Sequence, residues 1–145
     1  MPDEAALRSG CTLHHVAIVV PSIAAALPFY RDTLGLEARE IREVPEQAVR
    51  IAFLGAGESL VELVEPLDEV SGVARYLGER KKPSLHHVCI AVDDLPGTLR
   101  GLEDAGVELI DREPRQGAEG DVAFIHPRAS GGVLVELIDR STLHE

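Results

Sequence analysis

Apolar and β-branched residues crowd into Leu13-His14-His15-Val16-Ala17-Ile18-Val19-Val20, a run that stops at Pro21. It predicts a strand, after which Ser22 is placed to cap a helix through about Leu34 and Gly35 to end it in the left-handed region. Pro28 is expected to kink or shorten that helix. The same order returns 72 residues later: Leu85-His86-His87-Val88-Cys89-Ile90-Ala91-Val92 reads as a strand, Asp94 takes the capping place, Pro96 lies in the tolerated first turn, and Gly106 closes the helix. Ala52-Phe53-Leu54 recurs as Ala123-Phe124-Ile125, and Leu60-Val61-Glu62-Leu63 as Leu134-Val135-Glu136-Leu137, at offsets of 71 and 74 residues. Near-constant offsets mark a duplicated supersecondary unit.

After each helix the pattern predicts a short strand (about 36–43 and 107–112), a turn-prone loop, and two strands (about 48–54 with 59–65, and 121–126 with 132–139). Gly55-Ala56-Gly57 and Ser130-Gly131-Gly132 are the expected hairpin connections. Each half therefore reads β-α-β-β-β, and the expected fold class is α+β. Two tandem βαβββ modules, about 12–66 and 84–139, would form a single pseudo-twofold domain over 12–139. Residues 66–84 join the halves through a helical stretch from about Val70 to Arg80, and residues 1–11 form a polar tail. If the copies face each other about the pseudo-twofold axis, two imidazoles and two carboxylates converge.

Composition narrows the function. A chain of 145 residues, 45% hydrophobic and 27% charged, has the balance of one globular domain. Aromatics at 3% and a net charge of −11 argue against a nucleic-acid surface, which needs stacking rings and clustered cations. The longest uncharged run, Val16 to Tyr30, is too short to span a membrane. The acidic start Met1-Pro2-Asp3-Glu4 does not read as a presequence, so a cytoplasmic location is expected. Cys11 and Cys89 lack a partner motif, and Cys89 reads as a small buried hydrophobe. The Arg80-Lys81-Lys82 cluster reads as a solvated helix end, with contact to substrate phosphates as the alternative.

Strand alternation puts His14 with Val16, Ile18 and Val20 on one face, and His15 with Ala17 and Val19 on the other. Both faces are apolar, so periodicity does not choose between the histidines. Glu62 and Glu136 interrupt otherwise apolar strands. A buried carboxylate demands a partner, and a divalent cation is the economical one, since imidazole and carboxylate together suit first-row ions.

These residues, with Val44-Pro45-Glu46-Gln47-Ala48-Val49, Val61-Glu62-Leu63-Val64-Glu65-Pro66-Leu67, Phe124-Ile125-His126-Pro127 and Gly131-Gly132-Val133-Leu134-Val135-Glu136-Leu137, resemble the vicinal oxygen chelate (glyoxalase/bleomycin resistance/dioxygenase) superfamily. Within it they look most like the methylmalonyl-CoA epimerases, over about residues 12–139. The resemblance implies a metal-dependent isomerase that interconverts (R)- and (S)-methylmalonyl-CoA through an enolate, as in propionyl-CoA metabolism. It places the metal ligands at His15, Glu62, His87 and Glu136, the second histidine of each pair. One divalent ion is implied, Co2+ ahead of Mn2+, Zn2+, Ni2+ or Mg2+, together with an acyl-CoA substrate and a homodimer. Inversion needs a proton removed on one face and returned on the other. Glu136 is one acid/base candidate and Glu46 a weaker one, because Ile51 stands where part of the family carries a glutamate. Gln47, His126, Arg128, Ser130 and Gly131 fall in segments that the resemblance assigns to substrate binding.

A glyoxalase I-type lyase or an extradiol-type dioxygenase would share the fold. Glu62, however, would fill a position that the dioxygenase wants open. A metal-free, ligand-sequestering module of the drug-resistance kind is the alternative of another class, and it has no need of two His-Glu pairs.

Overall fold

The structure, a computed structural model, describes residues 10–78 and 82–143. Most of the expected polar tail, and Arg80 and Lys81 of the basic cluster, lie outside these residues. The chain divides into two compact units, 15–86 in one and 10–14 with 87–143 in the other. Each contains four strands and at least one helix, and the α+β class holds.

In the first unit, β1 (Thr12–Val19) runs parallel to β4 (Ser59–Pro66) through residues 15–19. β4 pairs antiparallel with β3 (Val49–Ala56), and β3 with β2 (Glu37–Val44), giving the order β2-β3-β4-β1. Helix α1 (Ile23–Pro28) covers one face, where Val20, Ile23, Ala52, Leu54 and Leu63 form the core. Each of the valine, isoleucine and leucine side chains, fully buried, contributes about 1.5–3 kcal/mol. In the second unit, β5 (Ser84–Val92) supplies residues 88–92 to a parallel pairing with β8 (Val135–Asp139), followed by β7 (Asp121–Ile125) and β6 (Arg115–Gln116), both antiparallel. Helix α3 (Leu95–Asp104) packs Leu95 and Leu99 against Val92, Ala123 and Leu137.

Both module helices start as the sequence predicts. The Ser22 hydroxyl accepts from the Ala25 N–H at 3.1 Å, and the Asp94 carboxylate from the Gly97 N–H at 3.1 Å. A Cβ on Gly97 would fall 2.3 Å from that carboxylate, so any larger residue there would make the Asp94 side chain shift. A second, unforeseen carboxylate supports each start. Glu65 accepts from the Ile23 N–H at 2.9 Å, and Asp139, 74 residues later, accepts from the Leu95 N–H at 3.1 Å. Each satisfies an amide that the helix itself leaves unpaired. Burial of Asp139 pushes its pKa up, but hydrogen bonds from Ser141 and from the Leu95 N–H outweigh this and leave it lowered.

Several expectations need correction. The first helix is regular only to Pro28, whose missing N–H interrupts the ladder; Phe29–Thr33 continues as a π-turn in which the Leu34 N–H donates to the Phe29 carbonyl. Gly35 then takes φ 79°, as foreseen. The joining helix, α2 (Gly72–Leu77), is shorter than 70–80, capped by Ser71 and ended at Gly78. The first hairpin turns at Gly57, with Gly55 and Ala56 still in β3. The second connection contains a 3-10 turn, Pro127–Ser130, before Gly131.

The strand expected at 107–112 does not form. A single bridge joins Leu109 to Ile125, and the edge strand is displaced to Arg115–Gln116. The cause is Asp111. Its side chain accepts from the Phe124 N–H at 2.8 Å, and the Phe124 carbonyl accepts from both the Ile110 and Asp111 N–H groups. A side chain has taken the place of a ladder acceptor.

Candidate functional site

On β1 the alternation separates the two histidines. His15, Ala17 and Val19 are buried, whereas His14, Val16 and Ile18 are half-buried. Ala17 stands opposite Glu62 on β4, and Phe53 opposite Glu62 on β3. Because side chains two apart on a strand share a face, His15 and Glu62 are diagonal neighbours. His15 Nδ1 lies 3.1 Å from Glu62 Oε2, and the two residues are 2% and 3% exposed.

The second unit repeats this. Cys89 and Phe124 both stand opposite Glu136, His87 precedes Cys89 by two residues, and His87 Nε2 lies 3.0 Å from Glu136 Oε1. His86, on the alternate side of β5, meets Tyr76 edge-on, with centroids 4.7 Å apart. A buried carboxylate needs hydrogen-bond donors, an opposite charge or a metal cation to offset its lost hydration. Each pair offers one imidazole and one carboxylate, a donor set that fits a first-row divalent ion.

An aromatic ring and a cation flank each glutamate, a feature absent from the sequence reading. The Arg42 guanidinium lies 4.8 Å over the Phe53 ring, and that of Arg115 lies 5.3 Å over Phe124. Arg42 stands opposite Ile51 and Arg115 opposite Val122, so the two arginines occupy equivalent places in the repeat. The Phe124 ring in turn meets His87 edge-on at 5.5 Å. The signal was present, since the phenylalanines sit 71 residues apart and the arginines 73.

Glu46 and Gln47 are exposed on the single turn Pro45–Gln47, and Ala48 after them adopts φ 56°, ψ 44°. Ile51 is buried, two residues before Phe53 on the same side of β3. In the 126–131 segment, His126 Nδ1 accepts from the Arg128 N–H at 3.0 Å. Arg128 makes a two-point contact with Glu108, at 3.0 and 2.7 Å, which lowers the Glu108 pKa. The Ser130 hydroxyl donates to the Pro127 carbonyl and accepts from the Val133 N–H, and Gly131 closes the turn with φ 81°. Among the described residues no helix is long and apolar enough to cross a membrane.

Residues 14–124 match the Glyoxalase/Bleomycin resistance protein/Dioxygenase superfamily. The mitochondrial methylmalonyl-CoA epimerase of Mus musculus is 39% identical over 126 residues, covering 86% of this chain and 71% of its own. The ethylmalonyl-CoA/methylmalonyl-CoA epimerase of Cereibacter sphaeroides is 38% identical over 127 residues, covering 86% of this chain and 95% of its own. The solved structure of a Streptomyces coelicolor methylmalonyl-CoA epimerase variant in complex with 2-nitronate-propionyl-CoA is similar with a TM-score of 0.81 at 30% identity, over 92% of this chain and 98% of that one.

Proposed function

Since this chain belongs to the glyoxalase/bleomycin resistance protein/dioxygenase superfamily, we propose that it is an isomerase that interconverts (R)- and (S)-methylmalonyl-CoA. The observation that carries the proposal is the repeated pair, buried His15 with Glu62 and half-buried His87 with Glu136, each imidazole within 3.1 Å of a buried carboxylate. Relatives named as epimerases of this substrate support the choice over a lyase, a dioxygenase or a metal-free binding module. The proposal takes 12–139 as one domain and includes a homodimer.

His15, Glu62, His87 and Glu136 would together hold one divalent ion, Co2+ first among the candidates. Bound there, the ion supplies a Lewis acid for the negative charge that develops on the thioester oxygen as the α-proton leaves. The chain's own residues do the rest. Glu136 takes the proton from one face, since its carboxylate is buried and held by His87. Phe124 beside it, and Phe53 and Ile51 beside Glu62, line these faces with apolar surface, and exclusion of water strengthens the electrostatic interactions. Ile51 offers no proton carrier. Glu46 is the second acid/base candidate, exposed on its turn. Gln47, His126, Ser130 and Gly131 are proposed contacts for the rest of the substrate, whereas Arg128 has its fork engaged by Glu108.

NMR of methylmalonyl-CoA in deuterated water with metal-loaded protein tests the proposal. Loss of the α-hydrogen signal is expected. No exchange, combined with turnover of a glutathione hemithioacetal or a catechol, would overturn the epimerase reading.

A further inference from the structure

A chain with a net charge of −11 repels an anionic acyl-CoA thioester, so fixed cations near the site favour its binding. Several arginines have their forks engaged by acidic side chains or backbone carbonyls. Arg42 makes two hydrogen bonds to Glu40, at 3.1 and 2.9 Å, Arg128 two to Glu108, and Arg140 donates to the carbonyls of Gly10 and Ala91.

Arg115 is held differently. Its guanidinium carbon lies 5.3 Å over the Phe124 ring, and its Nε lies 3.4 Å from Asp111 Oδ2, the same oxygen that accepts from the Phe124 N–H. Asp111 therefore locks Phe124 and Arg115 as one assembly, while the Arg115 side chain stays 58% exposed. The planar fork of a guanidinium carries several N–H donors and suits a two-point contact with a carboxylate. Holding the side chain in advance lowers the entropy cost of that contact. Phe124 also touches His87 edge-on and stands opposite Glu136, so this cation is one ring away from the proposed ligands and base.

We infer that Arg115 is a specificity-determining residue that binds the free carboxylate of the substrate's malonyl group, with Asp111 as the residue that positions it. The inference rests on the epimerase reading above. Propionyl-CoA, which keeps the thioester and the CoA portion but lacks the carboxylate, separates the two possible anionic targets.

The experiment compares metal-loaded wild type, Arg115→Gln and Arg115→Lys, with metal content and melting temperature checked on each. In Arg115→Gln the KM for methylmalonyl-CoA should rise about 10- to 100-fold, the scale of a lost hydrogen bond to a charged group, with kcat changing less. The inhibition constant of propionyl-CoA should not move, and Arg115→Lys should recover part of the KM. Equal weakening of both thioesters would overturn the assignment in favour of the CoA phosphates, and an unchanged KM would overturn it altogether. If wild type catalyses no α-exchange but turns over a glutathione hemithioacetal or a catechol, the epimerase reading fails by itself. Calorimetric binding of the two thioesters then still decides whether Arg115→Gln abolishes a preference for the carboxylated one.

Discussion

His87 and Glu136 meet diagonally across the parallel strands β5 and β8: Cys89, two residues after His87, is the residue opposite Glu136, and Nε2 to Oε1 is 3.0 Å. His15 and Glu62 repeat the relationship across β1 and β4 through Ala17, at 3.1 Å. A two-residue step on a pleated strand keeps side chains on one face, so the spacing and the register together bring each imidazole to its carboxylate.

Metal content should follow this pairing. His87→Ala is expected to lose most of its divalent ion on dialysis, as measured by elemental mass spectrometry, because an open site loses one of four ligands. His86→Ala, which removes a ring stacked edge-on against Tyr76, should keep it. Equal loss in both would refute the assignment of the second histidine.

Glu136→Gln should lower epimerisation by about 10²–10⁴-fold, the usual contribution of a positioned acid/base group, and part of that loss should track metal content. Glu46→Gln should turn over at a near wild-type rate, since its exposed carboxylate sits on a turn. A drop in Glu46→Gln comparable to that of Glu136→Gln, with metal intact, would make Glu46 the second proton carrier.

Asp139 predicts a stability change in acid. Its folded pKa is lowered, so its contribution is complete above the unfolded value, about 3.9 for aspartate, and is lost as pH falls through the folded one. Melting temperature should therefore drop below about pH 4 more steeply in wild type than in Asp139→Asn. At neutral pH, Asp139→Ala should cost about 1–3 kcal/mol by orphaning the buried Leu95 N–H.

Ala48 is the one non-glycine residue with positive φ among the described residues, at 56°. Ala48→Gly relieves the left-handed penalty but adds unfolded-state entropy, for a net gain of up to about 1 kcal/mol in denaturant unfolding. Ala48→Val should be destabilising, because a β-branched side chain fits that region worse.

By itself the sequence determined the duplication, the strand and helix order of each half, the Ser22 and Asp94 caps, and Glu62 and Glu136 as carboxylates inside apolar strands. All of these are local signals, carried by spacing, alternation and capping chemistry over a few residues. The tertiary structure decided what depends on register between strands. It buried His15 more deeply than His14, where two apolar faces had left the choice open. It brought Glu65 and Asp139 from the ends of β4 and β8 to the helix starts at Ile23 and Leu95. It let Asp111 displace an expected strand and hold Arg115 over Phe124. The helix-start partners lie 42 and 44 residues away along the chain and Phe124 lies 13 from Asp111, and the register of the folded sheet determines which side chain each meets.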